Sequence, residues 1–130
     1  MSKSKGNVID IFQTDKALRK QIMSIQTDSS ALEAPKDWET CNCFAIYKLL
    51  ASEAQITEMK QKYEVGGYGY GHAKQALFEL ICEKFSEQRE RYTYYMSNLE
   101  ELDQALALGA KKAAAVADGV LARVRVKIGY

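Results

Sequence analysis

From Asp15 onward, apolar side chains recur at three- and four-residue intervals, a spacing that only an α-helix turns into a continuous buried face. The fullest run is Ala73, Leu77, Leu80, Ile81, Phe85, Tyr92 and Tyr95, which predicts one helix from about His72 to Met96. About 25 residues at 1.5 Å each span roughly 37 Å, enough for a structural spine. Pro35 is the only proline, so little else in the chain forbids helix.

The same spacing marks the other elements. Thr14 and Asp15 offer N-caps to a short helix with Leu18, Ile22 and Ile25 inward, ending near Gln26. Before it, Val8 to Phe12 alternates briefly, as an extended segment would. Residues 27 to 40 lose the pattern and read as a long loop ending near Trp38. Cys43, Ile46, Tyr47 and Leu50 form a stripe that Phe44, Ala45 and Leu49 extend almost all round, which points to central burial. Ile56, Met59 and Tyr63 mark another short helix. Gly66, Gly67, Gly69 and Gly71 then read as a tight helix connection with packed tyrosines, because a phosphate-cradling loop requires a preceding strand. Ser97-Asn98-Leu99-Glu100 has the form of a capping box opening a helix with Leu99, Leu102 and Leu106 inward. Gly109 closes or kinks that helix before a last one bearing Ala113, Ala117, Val120, Leu121, Val124 and Ile128. Arg123 to Ile128 also alternates with period two, so a terminal strand is the second reading there. The expected fold is all-α: a bundle of five to six helices with a long central helix, preceded by a flexible loop.

Composition narrows the function classes. With 18 Lys+Arg against 17 Asp+Glu, no bulk electrostatic footprint announces nucleic acid, and any RNA contact must come from a local patch. Cys41, Cys43 and Cys82 are odd in number and lack metal-site spacing, and the single His72 does not complete a ligand set. Free thiols in a reducing compartment and no metal site are expected. No apolar run approaches the ~20 residues that span a bilayer, and the N-terminus has no signal-peptide core, so the expected location is cytoplasmic.

The N-terminus carries the chemistry. Met1-Ser2-Lys3-Ser4-Lys5-Gly6-Asn7 resembles the Lys-Met-Ser-Lys-Ser signature of class I aminoacyl-tRNA synthetases, whose leading lysine would fall just before Met1. Activating an amino acid with ATP builds negative charge on departing pyrophosphate, which placed cations and donors must meet. Lys3 offers the charge, Ser2 and Ser4 the hydroxyls, and Gly6 the backbone freedom to close a loop. The plainer reading is a solvated, tag-like terminus.

Further stretches, in order, resemble the C-terminal part of bacterial tryptophanyl-tRNA synthetases. They are Thr27-Asp28-Ser29; Asn42 with Ile46-Tyr47 and Leu50; Gly67-Tyr68-Gly69 with Lys74; Arg89-Glu90-Arg91-Tyr92; and Leu102-Asp103, Leu106 and Gly109-Ala110-x-Lys112-Ala113. The resemblance covers essentially the whole chain. It implies an enzyme that joins tryptophan to tRNA(Trp) through tryptophanyl-adenylate, using ATP and Mg²⁺, as a cytoplasmic homodimer. It further implies that residues 1–14 are an ATP-binding signature loop and connector, with Met1, Ser2, Lys3 and Ser4 at ATP and Lys3 catalytic. Residues 15–130 become a helical anticodon-binding domain. The tryptophan pocket would lie outside these residues, so the piece alone is expected to be inactive and to carry no cofactor.

For tRNA contact the candidates are Arg89, Arg91, Lys111, Lys112, Arg123, Arg125 and Lys127, with Tyr94 placed to stack on an unpaired base. The ordinary alternative is that these charges solvate helix surfaces. Two other functions stay open: a different class I synthetase, with tyrosyl as the nearest relative, and a helical adaptor that binds protein; Lys5-Gly6-Asn7 is the form frequent in class I members outside the tryptophanyl branch, many of whose enzymes carry Asp-Pro after the second serine.

Overall fold

The computed structural model describes residues 8–130, and these contain six helices and no strand. They are α1 (Asp15–Met23), α2 (Asn42–Leu50), α3 (Glu53–Val65), α4 (Tyr70–Lys84), α5 (Ser86–Ser97) and α6 (Leu99–Ile128). The chain forms two compact units, divided between Arg89 and Glu90. The expected flexibility of residues 1–7 lies outside the described residues.

The first unit is built on α4, against which both α1 and α2 pack. Ala73, Leu77, Leu80 and Ile81 bury one face of α4 and meet Leu18 and Ile22 of α1 and Cys43, Phe44 and Tyr47 of α2 in one core. Two lysines on α4 reach across to the packed helices. Lys74 Nζ donates to Met23 O at 3.2 Å and Lys84 Nζ to Leu50 O at 3.0 Å, so the last carbonyl of α1 and of α2 each receives a cation. Helix C-termini hold orphan acceptors and partial negative charge, so both contacts are of the favourable sign.

Helix α3 starts with a complete capping box: Ser52 Oγ accepts from Gln55 N while Gln55 Oε1 accepts from Ser52 N at 2.9 Å. It ends at Gly66, whose φ of 82° is open to glycine and strained for other residues. A Cβ there would stand 2.4 Å from the Glu33 carbonyl oxygen, so the chain turns where a backbone from the 27–40 loop presses against it. Gly67 N donates to Leu32 O at 3.1 Å and closes the same contact.

That loop is organised by a buried cation. Lys36 is only 4% exposed, and its Nζ donates to the carbonyls of Ala31, Leu32 and Ala34 at 3.2, 3.0 and 3.1 Å. Three donors meeting three acceptors is how an ammonium tolerates leaving water. The Lys36 backbone N–H bonds Tyr63 O at 2.8 Å. Tyr63, itself buried, sits among Phe44, Tyr68 and Tyr70 with ring centroids 5.7 to 6.2 Å apart. The expected glycine turn with packed tyrosines is therefore present.

Several expectations need correction. Val8 to Phe12 forms no strand: residues 8–10 have no regular structure and Ile11-Phe12 turn, with Phe12 N bonding Asp10 Oδ1 at 2.9 Å and the Gln21 amide on α1 holding Val8 O and Asp10 N. The His72–Met96 spine is two helices, α4 and α5. Phe85 breaks them apart at φ −111°, ψ 17°, its ring packed against the core. The longest helix is instead α6, 30 residues, which runs through Gly109 without a break and gives no terminal strand. A lone glycine costs a long helix only about 1 kcal/mol, less than the flanking hydrogen bonds return. Asn98 caps α6 with no side-chain bond, while Ser97 Oγ turns back to Thr93 O and Asn98 Nδ2 to Tyr94 O. The Ser97 capping box does not form. Leu99 and Leu106 are exposed rather than inward, and Leu49 and Ala45 leave α2 buried on one face only.

The second unit comprises the rest of α5 and all of α6, and neither helix has a buried residue. The long helix is nonetheless well terminated. Glu100 and Glu101 stand in its first turn and Arg125 and Lys127 in its last, each matching the dipole. Gly129 takes the left-handed cap at φ 83°, and Tyr130 N bonds Arg125 O at 2.9 Å.

Candidate nucleic-acid interface

The basic residues nominated above separate into three environments. Arg89 is half-buried and committed within the first unit: Nη1 donates to Ile11 O at 2.7 Å and Nη2 pairs with Asp15 at the start of α1. It clamps the turn before α1 to the end of the α4 region, a positioning role rather than an open contact. Arg91 is exposed on α5.

The other five lie on α6 and are all exposed. At 3.6 residues per turn, Lys112, Arg123 and Lys127 fall along one edge of the helix, whereas Lys111 and Arg125 fall on the far side. Lys112 and Arg123 stand about 16 Å apart along the axis. No described acidic side chain lies within ion-pair distance of these five. The edge carrying Lys112, Arg123 and Lys127 is a row of point charges suited to phosphates.

Tyr94 is half-exposed, but its hydroxyl donates to Glu101 Oε2 at 2.6 Å and its ring meets Tyr95 edge-on at 5.5 Å. The Glu101 carboxylate raises the Tyr94 pKa by holding the proton. The ring is thus a fixed platform, which lowers the entropic cost of stacking a base on it.

Two features of the first unit escaped the sequence reading. A hollow of about 520 Å³ is lined by Arg19, Met23, Gly69, Gly71, His72 and Gln75, with Arg19 Nε donating to Gln75 Oε1 at 2.9 Å. Cation–ring stacks also decorate α3: Lys60 Nζ sits 3.8 Å from the Trp38 ring centre, and Lys62 Nζ lies 5.6 Å from that of Tyr68. These pairs join residues 22 and 6 positions apart that lie on α3 and in the loops outside it, so periodicity within one element does not reveal them.

The thiols carry no site chemistry. Cys41 and Cys43 are buried, Cys82 is half-buried, and all three are free. Burial pushes the Cys43 pKa up to about 12, which keeps it a thiol. Among the described residues no cluster of three His, Cys, Asp or Glu side chains gathers to hold a metal, and no helix is long and apolar enough to cross a membrane. Met1, Ser2, Lys3 and Ser4 lie outside the described residues.

Comparison with known proteins places this arrangement. Residues 1–86 match the family model of class I tRNA synthetases (W and Y). The tryptophan–tRNA ligase of Campylobacter jejuni is 47% identical over 129 residues, covering 99% of this chain and 40% of the relative. That of Rhodopirellula baltica is 41% identical over the same span. A crystal structure of the C. jejuni tryptophanyl-tRNA synthetase complexed with ADP and tryptophan superposes with a TM-score of 0.94 at 47% identity, covering all of this chain and 41% of that one. The chain thus spans about 40% of the length of the relatives it matches. An all-helical chain that matches the family model over residues 1–86 and tryptophan–tRNA ligases almost end to end belongs to the class I tRNA synthetases of tryptophan and tyrosine.

Proposed function

We propose that the chain is the C-terminal portion of a tryptophan–tRNA ligase, which joins tryptophan to tRNA(Trp) through tryptophanyl-adenylate at the expense of ATP. The single observation that carries the reading is 47% identity, sustained over 129 residues, to a ligase of that name. In this reading the enzyme is a cytoplasmic homodimer and the tryptophan pocket lies in the part of the enzyme that this chain does not include. Mg²⁺ enters as the companion of ATP, and no described residue is assigned to it.

Within that enzyme Lys3 meets the charge that develops on pyrophosphate as the adenylate forms, with Met1, Ser2 and Ser4 beside it at ATP. The helical region meets the anticodon end of the tRNA. Lys112, Arg123 and Lys127 act as one row of phosphate contacts, Arg91, Lys111 and Arg125 add charge from other faces, and Tyr94 offers a stacking surface. Arg89 contributes by holding the turn before α1 in place.

The test is kinetic. In the full-length ligase Lys3→Ala is expected to slow pyrophosphate exchange by about 10²- to 10³-fold with little change in tryptophan affinity, the scale for one preorganised donor. Unchanged exchange refutes the role of Lys3. For the helical region, each phosphate contact contributes roughly 0.9 or less to the slope of log affinity against log salt, so two to four contacts give weak binding that fades by physiological salt. Titration with matched and anticodon-swapped tRNAs at ~50 mM salt reads it, and equal binding to both removes anticodon recognition from this region.

A further inference from the structure

The hollow lined by α1 and the start of α4 lies wholly within the first unit, and a missing side chain keeps it open. Gly71 stands in the first turn of α4 without a positive φ, and a Cβ added there meets nothing within 4 Å. Glycine weakens a helix relative to almost every other residue, yet neither strain nor a clash requires it at this position. What it preserves is the space. At about 520 Å³ the hollow falls in the range of about 300–1,000 Å³ that holds small ligands. Arg19 carries the charge of the lining, and no acid is among the described residues that form it. A relay fixes its guanidinium: Gln75 Nε2 donates to Glu79 Oε1 at 2.8 Å, and Arg19 Nε donates to Gln75 Oε1 at 2.9 Å. The Nη donors of Arg19 are left without a partner among the described residues. His72 adds an aromatic face, braced because its ring stands 5.6 Å from that of Tyr68 at 34°, with Lys62 Nζ at 5.6 Å from the Tyr68 ring centre.

We infer that this hollow takes one unpaired nucleotide of the tRNA, its phosphate on the Nη donors of Arg19 and its base against His72, an inference that rests on the tRNA partner proposed above. The lining chooses this occupant by its chemistry. A planar guanidinium already held by Gln75 matches phosphate oxygens in pairs and loses little freedom on binding. An aromatic face beside it takes a base that has left its stack, which a paired duplex does not offer. Met23 supplies an apolar flank, and the side chain absent at Gly71 leaves room for the ribose. A free mononucleotide shares these groups but brings no second contact, whereas a loop of RNA delivers the nucleotide already tethered to its neighbours.

The test titrates the 130-residue chain with an RNA hairpin carrying the anticodon loop of tRNA(Trp) at ~50 mM salt. Gly71→Leu fills the hollow from an unstrained helical position, so it is expected to melt no lower than the parent while binding the hairpin at least about tenfold more weakly. His72→Ala should also cost about tenfold, and His72→Phe should restore binding to within about twofold, because any aromatic face stacks a base. Arg19→Gln is expected to cost about tenfold, whereas Lys20→Gln, which removes the same charge from the next position on α1 but not from the hollow, costs about twofold. Abasic replacement along the loop then finds the nucleotide: one position should lose about tenfold with the parent and nothing further with His72→Ala. Parent-like binding by Gly71→Leu overturns the inference, as does a parent chain that does not bind the hairpin, or losses that add at every abasic position in His72→Ala. The four ribonucleoside monophosphates are titrated alongside. One that binds the parent as tightly as the hairpin does, and loses that binding in Gly71→Leu, makes the occupant a free nucleotide and overturns the tRNA assignment. Tryptophan-dependent pyrophosphate exchange by the unmodified full-length protein is measured in parallel. If exchange is absent while the hairpin pattern holds, the ligase reading fails and the RNA site stands; if exchange is present and Gly71→Leu binds as the parent does, the hollow alone fails.

Discussion

The residues up to Arg89 and those from Glu90 onward are both helical, yet they are stabilised by different physics. The first region closes a core in which Leu18, Ile22 and Leu77 are fully buried, and it spends Lys36, Lys74, Lys84 and Arg89 on carbonyls inside itself. The second buries no side chain in α5 or α6 and relies on helix propensity, charged ends and a glycine cap. Helical periodicity is equally clear in both. A periodic apolar stripe therefore does not by itself report a buried face: α4 packs against α1 and α2, whereas α6 has no buried residue.

The sharpest way to break this contrast is a matched truncation. Leu77→Ala in α4 removes a side chain with no exposure and is expected to cost about 2 to 5 kcal/mol by urea unfolding of the 130-residue chain. Leu106→Ala in α6, 61% exposed, is expected to stay within about 0.5 kcal/mol. Equal losses would mean that α6 is packed in solution and that the two regions are not different in kind.

Next in size is the buried ammonium. Lys36→Met keeps the aliphatic stem but leaves the Ala31, Leu32 and Ala34 carbonyls without their donor, at an expected cost of about 1 to 3 kcal/mol. Amide exchange should rise first in residues 27 to 40 and at Gly67, whose N–H bonds Leu32. A variant as stable as the parent would show that the loop is held without the ammonium, by its bonds to Tyr63 O, Gly67 N and the Tyr70 hydroxyl.

Glycines sharpen the comparison because the same substitution should change sign between regions. Gly66→Ala forces a Cβ to 2.4 Å from Glu33 O at positive φ and is expected to destabilise by about 1 to 3 kcal/mol. Gly109→Ala sits mid-helix with nothing within 4 Å of the added carbon, and it should stabilise α6 by about 0.5 to 1 kcal/mol. Slower amide exchange in α6 reads the second effect. Destabilisation by both would expose a close neighbour of Gly109 in solution.

The smallest expected effect concerns the two spine arginines. Arg89→Ala loses the Ile11 carbonyl and the exposed Asp15 carboxylate, at about 1 kcal/mol after screening, whereas Arg91→Ala should leave stability unchanged within about 0.5 kcal/mol. In the tRNA titration the ranking should reverse per unit of folded protein, Arg91→Ala lowering the salt slope more than Arg89→Ala.

Much of this was legible in order along the chain. The stripes of α1, α2 and α3, the capping threonine Thr14, and the glycine turn after α3 follow from contacts between near neighbours, which spacing encodes. The break at Phe85 did not, because Phe85 continues the helical spacing and leaves the helix only when its ring reaches the core. The spacing of a capping box occurs at Ser97, yet the box forms at Ser52. Both positions have a suitable residue three places on, and the selection depends on where the preceding chain enters. Among the nominated basic residues, charge alone made Arg89 and Arg91 look like one pair. Burial beside Ile11 and Asp15, 78 and 74 positions away, separates them.

Local order along the chain thus established the all-helical class and the buried stripes of α1, α2 and α3, since each rests on interactions within a few residues. The meeting of Lys36 with its three carbonyls, the clamp of Arg89 on the turn before α1 and the division after Arg89 arose from folding in three dimensions. Those features depend on which surfaces find partners, and a period of three or four residues carries no record of that.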